Sequence, residues 1–162
     1  MYSIVKYPHE ALTTPTTEFD FSNPPISSYD LVHDMLKIMV DSNGVGLSAN
    51  QLGLPYRMFV MRGDEYNFAC FNPKIVSKSD ETTILEEGCL SFPGLVVKIA
   101  RSNTVRLRFR TASGGTDTKT FDGLSARVIQ HEMNHLDGEL FYNNAHRYHR
   151  EKAFKRYNHG KA

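Results

Sequence analysis

The residues best equipped for chemistry in this chain are His131 and His135, which stand four positions apart, and Glu132 beside the first. On an α-helix such histidines lie one turn apart, about 6 Å along the axis, so both imidazoles point to one side and can bind one metal ion. Glu132 lies about 100° around the helix from His131, where its carboxylate can accept a proton from water at that metal. The spacing predicts a metal-dependent hydrolase. The alternative is a pair of unrelated histidines, because so short a pattern also arises by chance.

The surrounding sequence predicts the helix that this site needs. Asp122 is a suitable N-cap residue and Gly138 a suitable C-terminal stop. Between them, apolar residues recur at spacings of three and four positions: Leu124, Val128, Ile129, Met133 and Leu136. We therefore expect a helix between Asp122 and Gly138 with its histidines on a buried face.

A third metal ligand must come from elsewhere, because two histidines do not complete a site of this kind. No Glu stands about twenty residues after His135, where a thermolysin-like zinc peptidase needs its third ligand. Upstream, Cys89 offers a soft thiolate ligand, and the preceding Gly88 permits close backbone approach. The other cysteine, Cys70, lies in an apolar run and is expected to be a buried free thiol. We therefore expect no disulfide.

Three motifs of the chain, taken in order, resemble those of the peptide deformylase family. They read GVGLSANQ at residues 44–51, EGCLS at residues 87–91 and QHEMNHL at residues 130–136. The stretch YPHEAL at residues 7–12 also resembles the family's opening, so the resemblance spans nearly the whole chain. One departure is Asn134, where the family usually has Asp.

The resemblance implies a role for each site residue. Cys89, His131 and His135 would bind one divalent metal, and Glu132 would be the general base. The side-chain amide of Gln51 and the backbone N–H of Leu90 would donate to the oxyanion. The expected substrate-binding residues are Val45, Gly46, Glu87, Gly88, Leu124, Arg127 and Val128.

Two interpretations stay open for the residues expected at the pocket. Leu124 and Val128 could bind the methionine side chain or serve as ordinary core residues of the helix. Arg127 could place its guanidinium at the pocket rim and favour acidic substrates, or face solvent without a role.

The resemblance also implies the reaction: removal of the formyl group from the N-terminal formyl-methionine of new proteins, with release of formate. Ferrous iron is the expected metal, with zinc or nickel as substitutes, since His and Cys suit all three. Two alternatives are another HExxH metallohydrolase, such as a zinc endopeptidase, and a non-catalytic module that is stabilised by a structural metal and binds the ribosome. The missing downstream ligand argues against the first, and the second would have no use for Glu132 or Gln51.

Length and composition are those of a single soluble domain over residues 1–162, with 40% hydrophobic and 23% charged residues. No apolar run approaches the roughly 18 residues of a membrane span, and the N-terminus lacks a signal-like segment. We expect a cytoplasmic monomer with no membrane contact.

Positive charge is concentrated at the C-terminus. Residues 145–162 carry six Lys or Arg against the single acid Glu151, a balance of +5, whereas the whole chain has a net charge of +1. We expect a basic helix over about residues 144–158. It is either a solvated flanking helix or a contact with the ribosome or nucleic acid.

The remaining pattern predicts an α+β fold. Residues 27–43 form an amphipathic helix, and the proline-rich residues 13–25 a loop. Strands are expected at residues 57–62, 66–71, 74–77, 82–86, 96–100, 105–110 and 118–121. The resemblance implies antiparallel sheets packed around the metal-binding helix, with an N-terminal and a C-terminal helix outside them.

Overall fold

The computed structural model describes residues 2–160, and these contain three α-helices and seven β-strands. The helices are α1 (Ser28–Asp41), α2 (Gly123–Leu136) and α3 (Arg147–Gly160). The strands are β1 (Gly46–Ser48), β2 (Met58–Met61), β3 (Phe68–Lys78), β4 (Thr82–Cys89), β5 (Phe92–Ser102), β6 (Thr104–Arg110) and β7 (Thr116–Asp122). The predicted α+β class is confirmed. No described helix is both long and apolar enough to cross a membrane.

The larger sheet is antiparallel, with strand order β1-β2-β3-β6-β7, and separates two cores. Strand β2 contributes to both because its side chains alternate between the faces. Met58 and Val60 pack with α1, and Phe59 and Met61 pack with α2. The sheet therefore holds α2, the predicted metal-binding helix, on one of its faces.

The smaller sheet pairs β4 with β5 and joins a third core. Inward residues of β5, including Val97 and Ile99, pack there with Ala153 of α3. The turn of this hairpin follows Cys89 directly, so the hairpin carries the predicted thiolate toward α2.

Helix α2 begins and ends where the sequence predicts, but of its two predicted end residues only Gly138 acts as expected. Asp122 occupies the N-cap position, but its side chain makes no capping hydrogen bond. Gly138 follows the helix with φ of 73°, a left-handed conformation that favours glycine. A Cβ at Gly138 would lie 2.8 Å from the backbone N of Pro15, so the chain after α2 can cross the N-terminal loop only with glycine here.

Some predicted bounds were wrong. The strands predicted at residues 66–71 and 74–77 are one strand, β3, with an irregular register between Phe71 and Lys74. At this irregularity Asn72 has φ of 48°, and its side-chain amide exchanges two hydrogen bonds with the backbone of Phe19. The basic helix predicted at residues 144–158 begins later, at Arg147. The short strand β1 and the 3₁₀ helix Ala49–Leu52 were not predicted.

Candidate metal centre

The three predicted metal ligands lie together in the structure. Cys89 at the end of β4 meets His131 and His135 of α2, and one ligand atom from each lies within 4.8 Å of the other two. Cys89 Sγ is 3.2 Å from His135 Nε2. Two imidazoles and a thiolate in this arrangement can bind one zinc-like or iron-like ion and leave a further position open.

A test of this fit comes from Glu132, the residue between the histidines. The residue is 3% exposed, and its Oε2 is one of the buried side-chain atoms that lack a hydrogen-bond partner within the described chain. A buried polar atom without a partner is costly, so its presence indicates a ligand or water that the site is built to hold. The donor set and this orphaned oxygen therefore fit a divalent metal with water beside it.

Burial shapes the electrostatics of these groups. It lowers the pKa of His135 well below its usual range, with the nearby His131 adding to the effect, so His135 is in the neutral form that binds metals. Burial raises the pKa of the Cys89 thiol to about 12 in the protein alone. A coordinated cation has the opposite effect and deprotonates such a thiol.

Strand β1 passes directly against Glu132. A Cβ built on Gly46 would lie 2.8 Å from Glu132 Oε1 and 2.9 Å from a methyl carbon of Val128. Only glycine permits this approach without displacing the carboxylate. Burial, with a smaller contribution from the charge of Glu87, raises the pKa of Glu132 to about 8.

Glu87 lies behind His131 and orients it. Glu87 Oε1 is 2.8 Å from His131 Nδ1, which leaves Nε2 of that ring free to bind a metal. Arg101 donates two hydrogen bonds to the same carboxylate, at 2.9 and 3.0 Å. Burial alone would raise the pKa of Glu87, but the hydrogen bonds from His131 and Arg101 outweigh it and lower this pKa to about 2. Glu87 is therefore an ionised carboxylate that fixes the imidazole.

Arg127 decides between the two sequence-based expectations in one respect. The residue is 6% exposed, so it does not face solvent. Its guanidinium donates to Glu87 Oε2 at 2.6 Å, to the Ile99 carbonyl at 3.0 Å and to the Thr83 carbonyl. Arg127 lines the cavity, but its guanidinium is paired with Glu87, so a preference for acidic substrates stays a prediction.

Gln51 and Leu90 both lie beside Cys89. Gln51 Nε2 is 3.5 Å from Cys89 Sγ and donates to Ser91 Oγ at 3.2 Å. Its Oε1 accepts from the backbone N–H of Ser48 at 3.1 Å, which fixes the amide's orientation. Leu90 occupies the turn between β4 and β5.

An open cavity of about 170 Å³ adjoins Glu132 and His131. Six of the seven predicted substrate-binding residues line it: Val45, Glu87, Gly88, Leu124, Arg127 and Val128. The seventh, Gly46, is not among the lining residues but lies against Glu132. Leu124 is 65% exposed and therefore not a core residue, whereas Val128 belongs to both the cavity wall and the core.

Arg101 is a site residue that was not predicted from the sequence. It is 5% exposed, and besides Glu87 it binds Asn134 Oδ1 at 2.6 Å. A signal was available, since Val97, Ile99 and Arg101 alternate as the inward positions of β5. A charged residue at an inward position requires a buried partner.

The polypeptide deformylase family model matches residues 1–151 of this chain. A peptide deformylase of Phenylobacterium zucineum is 38% identical over 157 residues, which cover 91% of this chain and 93% of that protein. The crystal structure of peptide deformylase from Thermotoga maritima is similar with a TM-score of 0.80 and 34% identity, covering 90% of this chain and 98% of the other. A peptide deformylase from Synechococcus elongatus in complex with actinonin has a TM-score of 0.87 at 28% identity, covering 95% of this chain and 84% of the other. This chain therefore belongs to the polypeptide deformylase family.

Proposed function

We propose that this protein removes the N-terminal formyl group from formyl-methionine of nascent polypeptides and releases formate. The observation that carries the proposal is the cluster of Cys89, His131 and His135 beside a buried Glu132 oxygen without a partner. This cluster opens onto a cavity with apolar walls at Val45, Leu124 and Val128.

Cys89, His131 and His135 would hold one divalent metal, and we propose ferrous iron, with zinc or nickel as substitutes. When bound, such an ion polarises a carbonyl and makes water a stronger acid. Glu87 supports the arrangement because its hydrogen bond to Nδ1 of His131 fixes that ring.

Glu132 is the proposed proton carrier. A divalent cation bound beside it would favour the ionised form, and its carboxylate then accepts the proton of the attacking water as a C–O bond forms at the formyl carbon. It then delivers this proton to the departing nitrogen of methionine as the C–N bond breaks. The remaining hydroxyl proton of the former water passes to the released amine, so the products are formate and a protonated amino terminus, and atoms and charges balance. The burial of Glu132 keeps bulk water from competing for the proton that it carries.

Gln51 and Leu90 are the proposed donors to the oxygen that gains negative charge in the transition state. Ser48 holds the Oε1 end of the Gln51 amide, so the Nε2 end is directed toward Cys89. A donor that is already oriented costs no reorganisation when the reaction occurs.

The methionine side chain would occupy the cavity bounded by Val45, Leu124, Arg127 and Val128. Strand β1 is at the edge of its sheet, and Gly46 in it bears no side chain that would block an approaching peptide. We propose that the substrate backbone adds to this edge and to β4 near Gly88, as an extra strand.

The basic helix α3 is the proposed contact with the ribosome. Ala153 packs α3 against the protein, while Lys152, Lys155 and Arg156 stay exposed. We propose a cytoplasmic monomer that co-sediments with ribosomes at low salt. Unchanged co-sedimentation after Lys155→Glu combined with Arg156→Glu would refute this contact.

The proposed function is tested by formate release from formyl-Met-Ala-Ser, with acetyl-Met-Ala-Ser as the matched substrate. The anaerobically metal-loaded protein should release formate from the first and no acetate from the second. An unfolded protein is offered as a second substrate to distinguish a deformylase from an endopeptidase, because only an endopeptidase would cut its internal peptide bonds. Internal cleavage, or no formate from protein shown to contain metal, would overturn the proposal.

A further inference from the structure

The N-terminal segment binds the turn that contains Leu90. Lys6 Nζ donates to the Leu90 carbonyl at 2.9 Å, and the backbone N–H of Tyr7 donates to the Ser91 carbonyl at 3.0 Å. The Tyr7 ring also stacks on Phe92 with ring centroids 5.0 Å apart. Both carbonyls of this two-residue turn are therefore held from outside the β4–β5 hairpin.

The same segment binds the second proposed donor. The backbone N–H of Val5 donates to the Gln51 carbonyl at 2.7 Å. The successive residues Val5 and Lys6 thus bind Gln51 and Leu90, which come from different parts of the chain. The N-terminal segment ties together the two residues proposed to bind the formyl oxygen.

Lys6 differs from its neighbours in how it makes this contact. Val5 and Tyr7 use backbone N–H groups, which any residue but proline supplies. Lys6 uses its ammonium group, so its contact depends on the side chain and is a charge-assisted hydrogen bond. Lys6 is exposed, so replacing it leaves the core intact.

We propose that Lys6 is a positioning residue, which holds the Leu90 turn so that the Leu90 N–H faces the formyl oxygen. The inference rests on the proposed function for the reaction that this donor serves. Lys6 does not line the cavity proposed for methionine. Its loss should therefore weaken transition-state stabilisation and leave substrate binding nearly unchanged.

The test compares wild type, Lys6→Met and Lys6→Arg, with Lys37→Met as a control. Lys37 pairs only with Asp41 on the exposed face of α1, among its described contacts. In the formate assay, Lys6→Met should lower kcat about ten-fold and change KM less than about two-fold, a smaller loss than deletion of an oxyanion donor. Lys6→Arg should recover most of kcat, and Lys37→Met should match wild type.

A second measurement follows the turn itself, in the zinc-loaded proteins. Backbone ¹⁵N order parameters at Leu90 and Ser91 should be near about 0.85 in wild type and fall toward about 0.6 in Lys6→Met. Unchanged kcat in Lys6→Met, a loss that Lys6→Arg does not repair, or unchanged order parameters would each overturn the role of Lys6. If wild type released no formate, the proposed function would fail, and the order parameters would still decide whether Lys6 holds the turn.

Discussion

Replacing Arg127 with Met should destabilise the protein and leave the charge preference of the reaction unchanged. The substitution keeps much of the apolar stem but removes the guanidinium of a residue that is 6% exposed. That group binds Glu87 Oε2 at 2.6 Å and the Ile99 carbonyl at 3.0 Å, and also donates to the Thr83 carbonyl. Its loss leaves buried acceptors without their donor.

The size of the effect follows from these partners. Breaking a buried ion pair costs about 3–5 kcal/mol because the remaining charge is uncompensated. Glu87 retains two hydrogen bonds from Arg101, so we assign a smaller cost of about 2 kcal/mol to the loss of its ion pair with Arg127. The Ile99 carbonyl adds about 1 kcal/mol, whereas Thr83 lies on an exposed part of β4 where water can replace the donor. The expected loss in free energy of unfolding is about 3 kcal/mol.

Urea unfolding followed by circular dichroism measures this loss, with Arg108→Met as the matched control. Arg108 is an exposed arginine of β6, and its replacement should change the free energy of unfolding by less than about 0.5 kcal/mol. Both variants are compared metal-free and at one metal concentration, because bound metal adds its own stabilisation. A loss below about 1 kcal/mol for Arg127→Met would refute the buried-pair reasoning.

The buried guanidinium also predicts the substrate response. Wild type should process formyl-Met-Asp and formyl-Met-Lys peptides with kcat/KM values within about two-fold of each other, as for charges without a close ionic partner. A larger, salt-sensitive preference for Asp that disappears in Arg127→Met would show that this arginine reaches the substrate.

Three further predictions concern the metal centre. Gly46→Ala should keep its metal and lose about 100-fold in kcat, because the added Cβ would lie only 2.8 Å from Glu132 Oε1 and would push that oxygen out of place. A wild-type kcat in this variant would refute the reasoning. Cys89→Ala and His135→Ala should lose bound metal in elemental analysis after dialysis, and either variant retaining a full equivalent would exclude that residue as a ligand. The iron-loaded enzyme should lose activity in air but not under argon, because the thiolate or the ferrous ion oxidises. The nickel-loaded enzyme should stay active under both gases. Equal lifetimes of the iron-loaded enzyme in air and under argon would count against an iron enzyme.

The sequence predicts the metal cluster well because its geometry is mostly local. His131 and His135 lie on one helix, and apolar periodicity is sufficient to predict that helix and its buried face. Cys89 lies far away in sequence; its thiolate chemistry makes it a candidate ligand, and the family's motif order supports that assignment. The β4–β5 hairpin that delivers it beside His135 is a tertiary feature.

Arg127 and β3 show where local patterns were insufficient. An arginine on an amphipathic helix is usually exposed, and its burial here depends on Glu87, 40 positions earlier in the chain. In β3, Asn72 followed by Pro73 resembles a break between two strands. The strand continues because Asn72 bonds to Phe19, a contact that no local pattern encodes. In both cases a partner distant in sequence determines the conformation.

The most direct test of the proposed mechanism measures metal content and formate release together in wild type and Glu132→Gln. The amide preserves the shape of the side chain but cannot carry the proton, and Glu132 is not one of the three clustered ligands. Glu132→Gln should bind one equivalent of metal, as wild type does, and release formate from formyl-Met-Ala-Ser about a thousand-fold more slowly. A metal-loaded Glu132→Gln protein with wild-type activity would contradict the assignment of Glu132 as the proton carrier.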